Sequence, residues 1–113
     1  MGKREKDPKV AAFRPRSAEL TRMIRQLAAR TKNIGWSTHV YAQMEAREIR
    51  EEDVLKVLRT GDIHGDIVSG RSPGEWRAKM VARIKANRDV GVVTVVCDGK
   101  RLFLKTAEWE DIR

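Results

Sequence analysis

The sequence predicts an α+β fold: two or three N-terminal helices packed on a three- to four-stranded antiparallel sheet. Three observations carry that expectation. Apolar residues recur at helical spacing through the first half of the chain, and the pattern changes to period-2 alternation after about residue 62. The Asp98-Gly99 pair then stands between two β-forming runs as a hairpin turn. A chain of 113 residues with 41% hydrophobic side chains supports one domain with one modest core.

Residues 1–16 read as a flexible basic arm, with six basic residues, two acids and two prolines, and residues 17–113 as a single α+β domain. Ser17 follows Pro15 as an N-cap, and Leu20, Met23, Ile24, Leu27 and Ala28 form one apolar stripe. This predicts a helix over roughly residues 18–31, with Arg22, Arg25 and Arg30 off the stripe and Asn33 and Gly35 bracketing its end. A shorter helix starts at Ser37 or Thr38 and runs to about Ala46, with Val40, Met44 and Tyr41 as its inward candidates. A third lies in IREEDVLKVLRTG. There Glu51, Glu52 and Asp53 suit the positive end of a helix, Ile49 can staple onto Val54, and Gly61 terminates it.

DIHGDIVSG is a weak strand leading into the turn RSPGE. From Trp76 to Lys85 the alternation is nearly clean. Trp76, Ala78, Met80, Ala82 and Ile84 fall on one side, and Arg77, Lys79, Arg83 and Lys85 share the other with Val81. A helix competes there, because Trp76, Met80 and Ile84 also lie four apart, but the run of alternation favours a strand. VGVVTVVC and RLFLKT then pair through Asp98-Gly99.

Lys and Arg total 24 against 16 acids, a net charge of +8. Residues 1–50 hold 12 basic and 5 acidic side chains (+7), and residues 51–113 hold 12 and 11 (+1). A field of that sign favours a polyanion, since each neutralised phosphate releases counterions, and RNA is preferred to DNA. Enhanced solubility or an acidic protein partner would also account for it. Cys97 is the only cysteine and there are two histidines, which excludes an internal disulfide and predicts no metal site and no cofactor. No apolar run reaches membrane-spanning length and the N-terminus lacks a signal-peptide core, so the expectation is a cytoplasmic protein without a membrane partner.

STHVYAQMEAREIREEDVLKVLRTGDI resembles a small prokaryotic family, largely of unknown function, with a T-x-H-x3-R-M-x2-R-x-I helix followed by an acidic helix and Gly. Thr38, His39, Met44, Arg47, Ile49 and Gly61 carry the likeness, and KTAEW resembles the family's last strand. The chain departs at Gln43, where Arg is usual, and at Glu48, where Gly is common. The family is similar in organisation to the RelE, BrnT and MqsR toxins of toxin–antitoxin pairs, over roughly residues 36–109. The resemblance implies a metal-independent endoribonuclease or a weakened relative, acting on RNA that includes ribosome-bound mRNA, with an acidic antitoxin protein as partner. The alternative is a non-catalytic nucleic-acid- or protein-binding module of the same fold, which the loss of Arg at position 43 supports.

Metal-free RNA cleavage needs a base at the ribose 2′-OH and cations around the pentavalent phosphate. On this reading His39 is base or orienter, and Lys79, Arg83 and Lys105 complete the catalytic set. Arg77, Lys85 and Arg47 bind phosphate and Trp76 stacks a base. The same residues have plainer uses. The strand cations would equally make a solvated sheet face, His39 would tether its helix, and Arg47 would pair with Glu51. Trp36 and Trp109 are expected in the core or over its edge.

Overall fold

A layer of three helices packs on one face of a five-stranded mixed sheet. The elements run α1 (Ser17–Ala28), β1 (Ile34–Trp36), α2 (Thr38–Arg47), α3 (Glu51–Thr60), β2 (Asp62–Ser69), β3 (Glu75–Lys85), β4 (Arg88–Cys97) and β5 (Arg101–Trp109). The computed structural model describes residues 14–111, so the arm read over residues 1–16 lies, up to residue 13, outside the described residues. No helix of the described residues is long and apolar enough to cross a membrane.

Each helix begins where an acceptor meets its unpaired N–H groups. Glu19 reaches back to the Arg16 N–H (3.1 Å), which makes Arg16, not Ser17, the cap of α1. Ser37 caps α2 by accepting from the Val40 N–H at 3.0 Å. The hydroxyl two residues before His39 is therefore Ser37, so the threonine of the T-x-H pattern is matched by Ser37 rather than Thr38. Asp53 accepts from the Arg50 N–H at 2.9 Å to open α3, and Ile49 and Val54 are buried on either side of that turn, as a staple requires. α1 ends earlier than the span of 18–31 expected for it, at Ala28, the last residue of its stripe, where Arg59 of α3 donates to the Ala28 carbonyl (2.8 Å). Arg25 binds the Gly61 carbonyl (2.7 Å) and Asp62 (3.0 Å). Two helical cations are thus committed to holding α1, α3 and β2 together.

The sheet order is β1-β5-β4-β3-β2. β2 to β5 form the antiparallel meander, with Asp98 and Gly99 both at positive φ in the β4–β5 turn. β1 pairs parallel to β5, a strand the sequence reading did not include. Three residues cannot display alternation, and Gly35 reads as a helix terminator instead. The core lies between the layers. Leu20, Ile24, Val40, Met44, Val57 and Leu58 of the helices meet Met80, Val92, Val96, Leu102, Leu104 and Ala107 of the sheet. Burying each of these side chains other than the small Ala107 contributes about 1.5–3 kcal/mol before chain entropy is counted.

Two register shifts decide which side chains reach which face. On β5, Leu104 pairs with Thr94 and Thr106 with Val93, which leaves Lys105 as an extra residue. On β3, Arg83 pairs with Asp89 but Lys85 with Arg88, which leaves Ile84 extra. Past that shift Lys85 no longer shares a face with Arg77, Lys79 and Arg83, contrary to the alternation. Its ammonium instead lies 6.0 Å from the ring centre of Trp109, whose indole is held under α2.

Candidate nucleic-acid interface on the helix-free sheet face

Strand register turns the face opposite the helices into a grid of transverse rows. Nearest the β4–β5 turn lies Arg101–Cys97–Glu75, and next comes Gly35–Phe103–Val95–Arg77–Val68 across all five strands. Thr106–Val93–Lys79–His64 follows, then Glu108–Gly91–Val81–Asp62, and finally Asp89–Arg83.

The first two rows, Val68 excepted, form the floor of a groove of about 720 Å³. Its lining includes Lys32, Arg71, Arg77, Arg101 and Lys105, and Glu75 is its one carboxylate among the described residues. None of these cations makes an ion pair among the described residues. Glu75 accepts from the Arg71 and Ser72 N–H groups (3.1 and 3.3 Å) and so shapes the β2–β3 loop that forms one wall. Phe103 lies on the floor, 38% exposed, with the Lys105 ammonium 5.6 Å from its ring centre. Its ring leans over β1 at Gly35, where a Cβ would sit 3.1 Å from the phenyl edge. Cys97 lies beside Arg101. Burial pushes its thiol above the ordinary value, the Glu75 charge adds to this and Arg101 opposes it, so at neutral pH the thiol is protonated and a poor nucleophile.

The far rows hold cations of the same kinds in pairs. Lys79 lies 2.9 and 3.1 Å from the two Glu110 oxygens and 3.6 Å from Glu108. The hydrogen bond to Glu110, above all, raises Lys79 beyond its ordinary value, against the opposing effect of burial. Gly91 makes the pair possible, because the Glu110 carboxylate and the Lys79 stem fill the space a Cβ would take. Arg83 donates to Asp89 (2.6 Å) and to the Ala86 carbonyl (3.2 Å).

The motif residues of α2 serve the edge of β5. Beyond the reach of β1, Ala107 offers both its backbone groups to the helix. Its N–H donates to the Gln43 Oε1 at 2.9 Å and its carbonyl accepts from the Arg47 guanidinium at 2.6 Å. Together the two side chains replace a missing neighbouring strand. The Trp109 indole N–H closes the arrangement on the Arg47 carbonyl at 2.7 Å. Because Ala107 fixes which end of the Gln43 amide is oxygen, its nitrogen must donate to His39 Nε2, 2.9 Å away. An arginine at position 43 has no acceptor for the Ala107 N–H, so the departure at Gln43 has a structural use here.

Of the sequence candidates, Arg77 and Lys105 line the groove together. Lys79 and Arg83 lie on the same face but at its charge-paired end. His39 and Arg47 belong to the α2–β5 clamp, and Arg47 does not pair with Glu51. Trp76 is on the helix side, half-buried near Leu20 and Met23 of α1, so it cannot stack a base bound to the cationic face. The exposed aromatic on that face is Phe103. Sequence reasoning missed Lys32, Arg71, Arg101 and Phe103. The alternation Arg101, Phe103, Lys105 was a usable signal, whereas Lys32 and Arg71 lie outside the strands and carried none. Among the described residues no group of three or more His, Cys, Asp or Glu is placed to hold a metal ion.

No curated protein and no solved structure matches this chain. A family model does match, over residues 36–109, from β1 through the groove strands to Trp109. That span is more than half of the 113 residues, and the chain belongs to the family described as Domain of unknown function (DUF4258).

Proposed function

We propose that this chain binds single-stranded RNA in the basic groove of its helix-free sheet face, without turning it over. One observation carries the reading: five cations without ion pairs among the described residues surround an exposed phenyl ring. Phosphates take the cations with release of counterions, and an unstacked base takes the ring. RNA is preferred to DNA because the motif on α2 resembles a family similar in organisation to RNA-cleaving toxins.

A metal-independent endoribonuclease of that toxin kind is the second reading, and Glu75 is the observation in its favour. It is a carboxylate among the cations, where a base could take the 2′-OH proton while Arg77 and Lys105 stabilise the pentavalent phosphate. An acidic antitoxin protein would then cover the same cations.

One experiment separates these. Fluorescence anisotropy of a labelled single-stranded RNA is followed against salt, and the same mixtures are run on a gel. Binding without turnover predicts intact RNA and a log–log salt slope of about −2, equivalent to roughly three phosphates at ~0.7 each. Cleavage that Glu75→Gln abolishes would replace the binding reading with the nuclease. Absence of binding at low salt removes both.

A further inference from the structure

We infer that the groove takes its ligand across the strands, as a short single-stranded segment of about three nucleotides with one unstacked base on Phe103. This rests on the RNA-binding reading and specifies the form of RNA the site accepts.

The direction follows from the register. A row of cations along β3 would have tracked a strand, but Lys79 and Arg83 are neutralised by acids and Lys85 has left the face. The unpaired charge runs the other way, from Lys32 beside β1, past Arg101 and Lys105 on β5, to Arg77 on β3 and Arg71 in the β2–β3 loop. Arg101 and Lys105 each stand two residues from Phe103, so a cation flanks the ring on either side at about 7 Å along the strand. Arg77 lies in the Phe103 row two strands over, roughly 10 Å away. That places cations around the ring at the reach of one nucleotide and its two phosphates. Three strand steps, from β1 to β3, span about 15 Å. With a phosphate near every ~7 Å of an extended strand, this length holds about three nucleotides.

The ring is what selects a single strand. In a duplex each base face is covered by its neighbours, and only an unstacked base can lie on a phenyl ring. Gly35 permits this geometry, since a side chain there would meet the phenyl edge that leans over β1.

The test is a ladder of oligoadenylates from two to eight nucleotides, titrated against wild type and Phe103→Leu, with inorganic polyphosphate as a charge-only probe. Alkylation of Cys97, which lies in the groove, followed at alkaline pH where the thiol ionises, gives a second readout of occupancy. Affinity should level at three or four nucleotides, apart from the proportional gain in binding registers on longer strands. Phe103→Leu should weaken oligoadenylate about 5- to 150-fold, the range for loss of one stacked base. It should leave polyphosphate binding unchanged, and an unchanged melting temperature shows that the variant is folded. Bound oligoadenylate should slow Cys97 alkylation. Affinity that keeps climbing beyond six nucleotides, equal binding by Phe103→Leu, or unprotected Cys97 would each overturn the inference while RNA binding stands. Failure of every length to bind overturns the functional reading itself.

Discussion

At one end of the helix-free face Arg77, Arg101 and Lys105 surround Phe103 with no carboxylate bound to them among the described residues. Farther along the same strands, one and three rows beyond Arg77, Lys79 and Arg83 lie against Glu110, Glu108 and Asp89. The residue types are the same and the backbone is continuous, yet one end presents unpaired positive charge and the other presents closed ion pairs. A count of cations on a strand therefore says little about where an anion will bind. What decides it is the identity of the residues on the two strands alongside. Here β4, β5 and the residue just after β5 bring Asp89, Glu108 and Glu110 to one end, and β5 brings Arg101 and Lys105 to the other.

The contrast makes separable predictions. The largest effect should come from reversing charge at the open end. The double variant Arg77→Glu/Arg101→Glu should bind single-stranded RNA about 100-fold more weakly at low salt, because it loses two phosphate partners and adds repulsion. Its melting temperature should hold, and Arg83→Glu should change affinity far less; equal losses from the two would erase the distinction between the ends. Next is a change in stability alone. Arg47→Met removes the donor to the Ala107 carbonyl, a group on a fully buried residue, and should cost about 2 kcal/mol in urea denaturation with RNA affinity intact. Smallest is Glu110→Gln, which releases Lys79 from its main carboxylate. Stability should fall by about 0.5–1 kcal/mol, as for a half-exposed pair, and RNA affinity should rise a few-fold as the closed end opens. The pH dependence has a definite sign. Because Lys79 is raised in the folded state, the pair's contribution is complete below the ordinary lysine value of 10.5 and is lost only as pH climbs through the raised value. Wild type and Glu110→Gln should differ by a constant amount across neutral pH and converge as pH climbs through the raised lysine value.

Most of the fold was legible because it rests on periodicity. The stripe of α1, the acidic first turn of α3 and the alternation of β3 each record burial on one side of an element. The α2 motif was visible too, but its meaning was not. Gln43 and Arg47 answer the backbone of Ala107, sixty-odd residues away, and nothing local in α2 states that an edge of β5 needs partners. The site was less legible for a similar reason. Alternation placed Arg77, Lys79 and Arg83 on one face correctly, whereas the partners that neutralise two of them arrive from β4 and from beyond β5. The shift at Ile84 that carries Lys85 away leaves no trace in composition. Lys32 and Arg71 reach the groove only because β1 and the β2–β3 loop lie at opposite borders of one end of the sheet.

The shift on β5 has a consequence for how this chain can change over generations. Leu104 pairs with Thr94 and Thr106 with Val93, consecutive residues on β4 facing residues on β5 with only Lys105 between them. A strand lacking Lys105 would run through that point as a regular ladder, with Leu104, Ala107 and Trp109 still under the helices and the Ala107 clamp still in place. Removing one codon would therefore delete a groove cation and its bulge while leaving the strand's phase untouched. At this position binding and folding are separately heritable, and a lineage can gain or lose the one without testing the other.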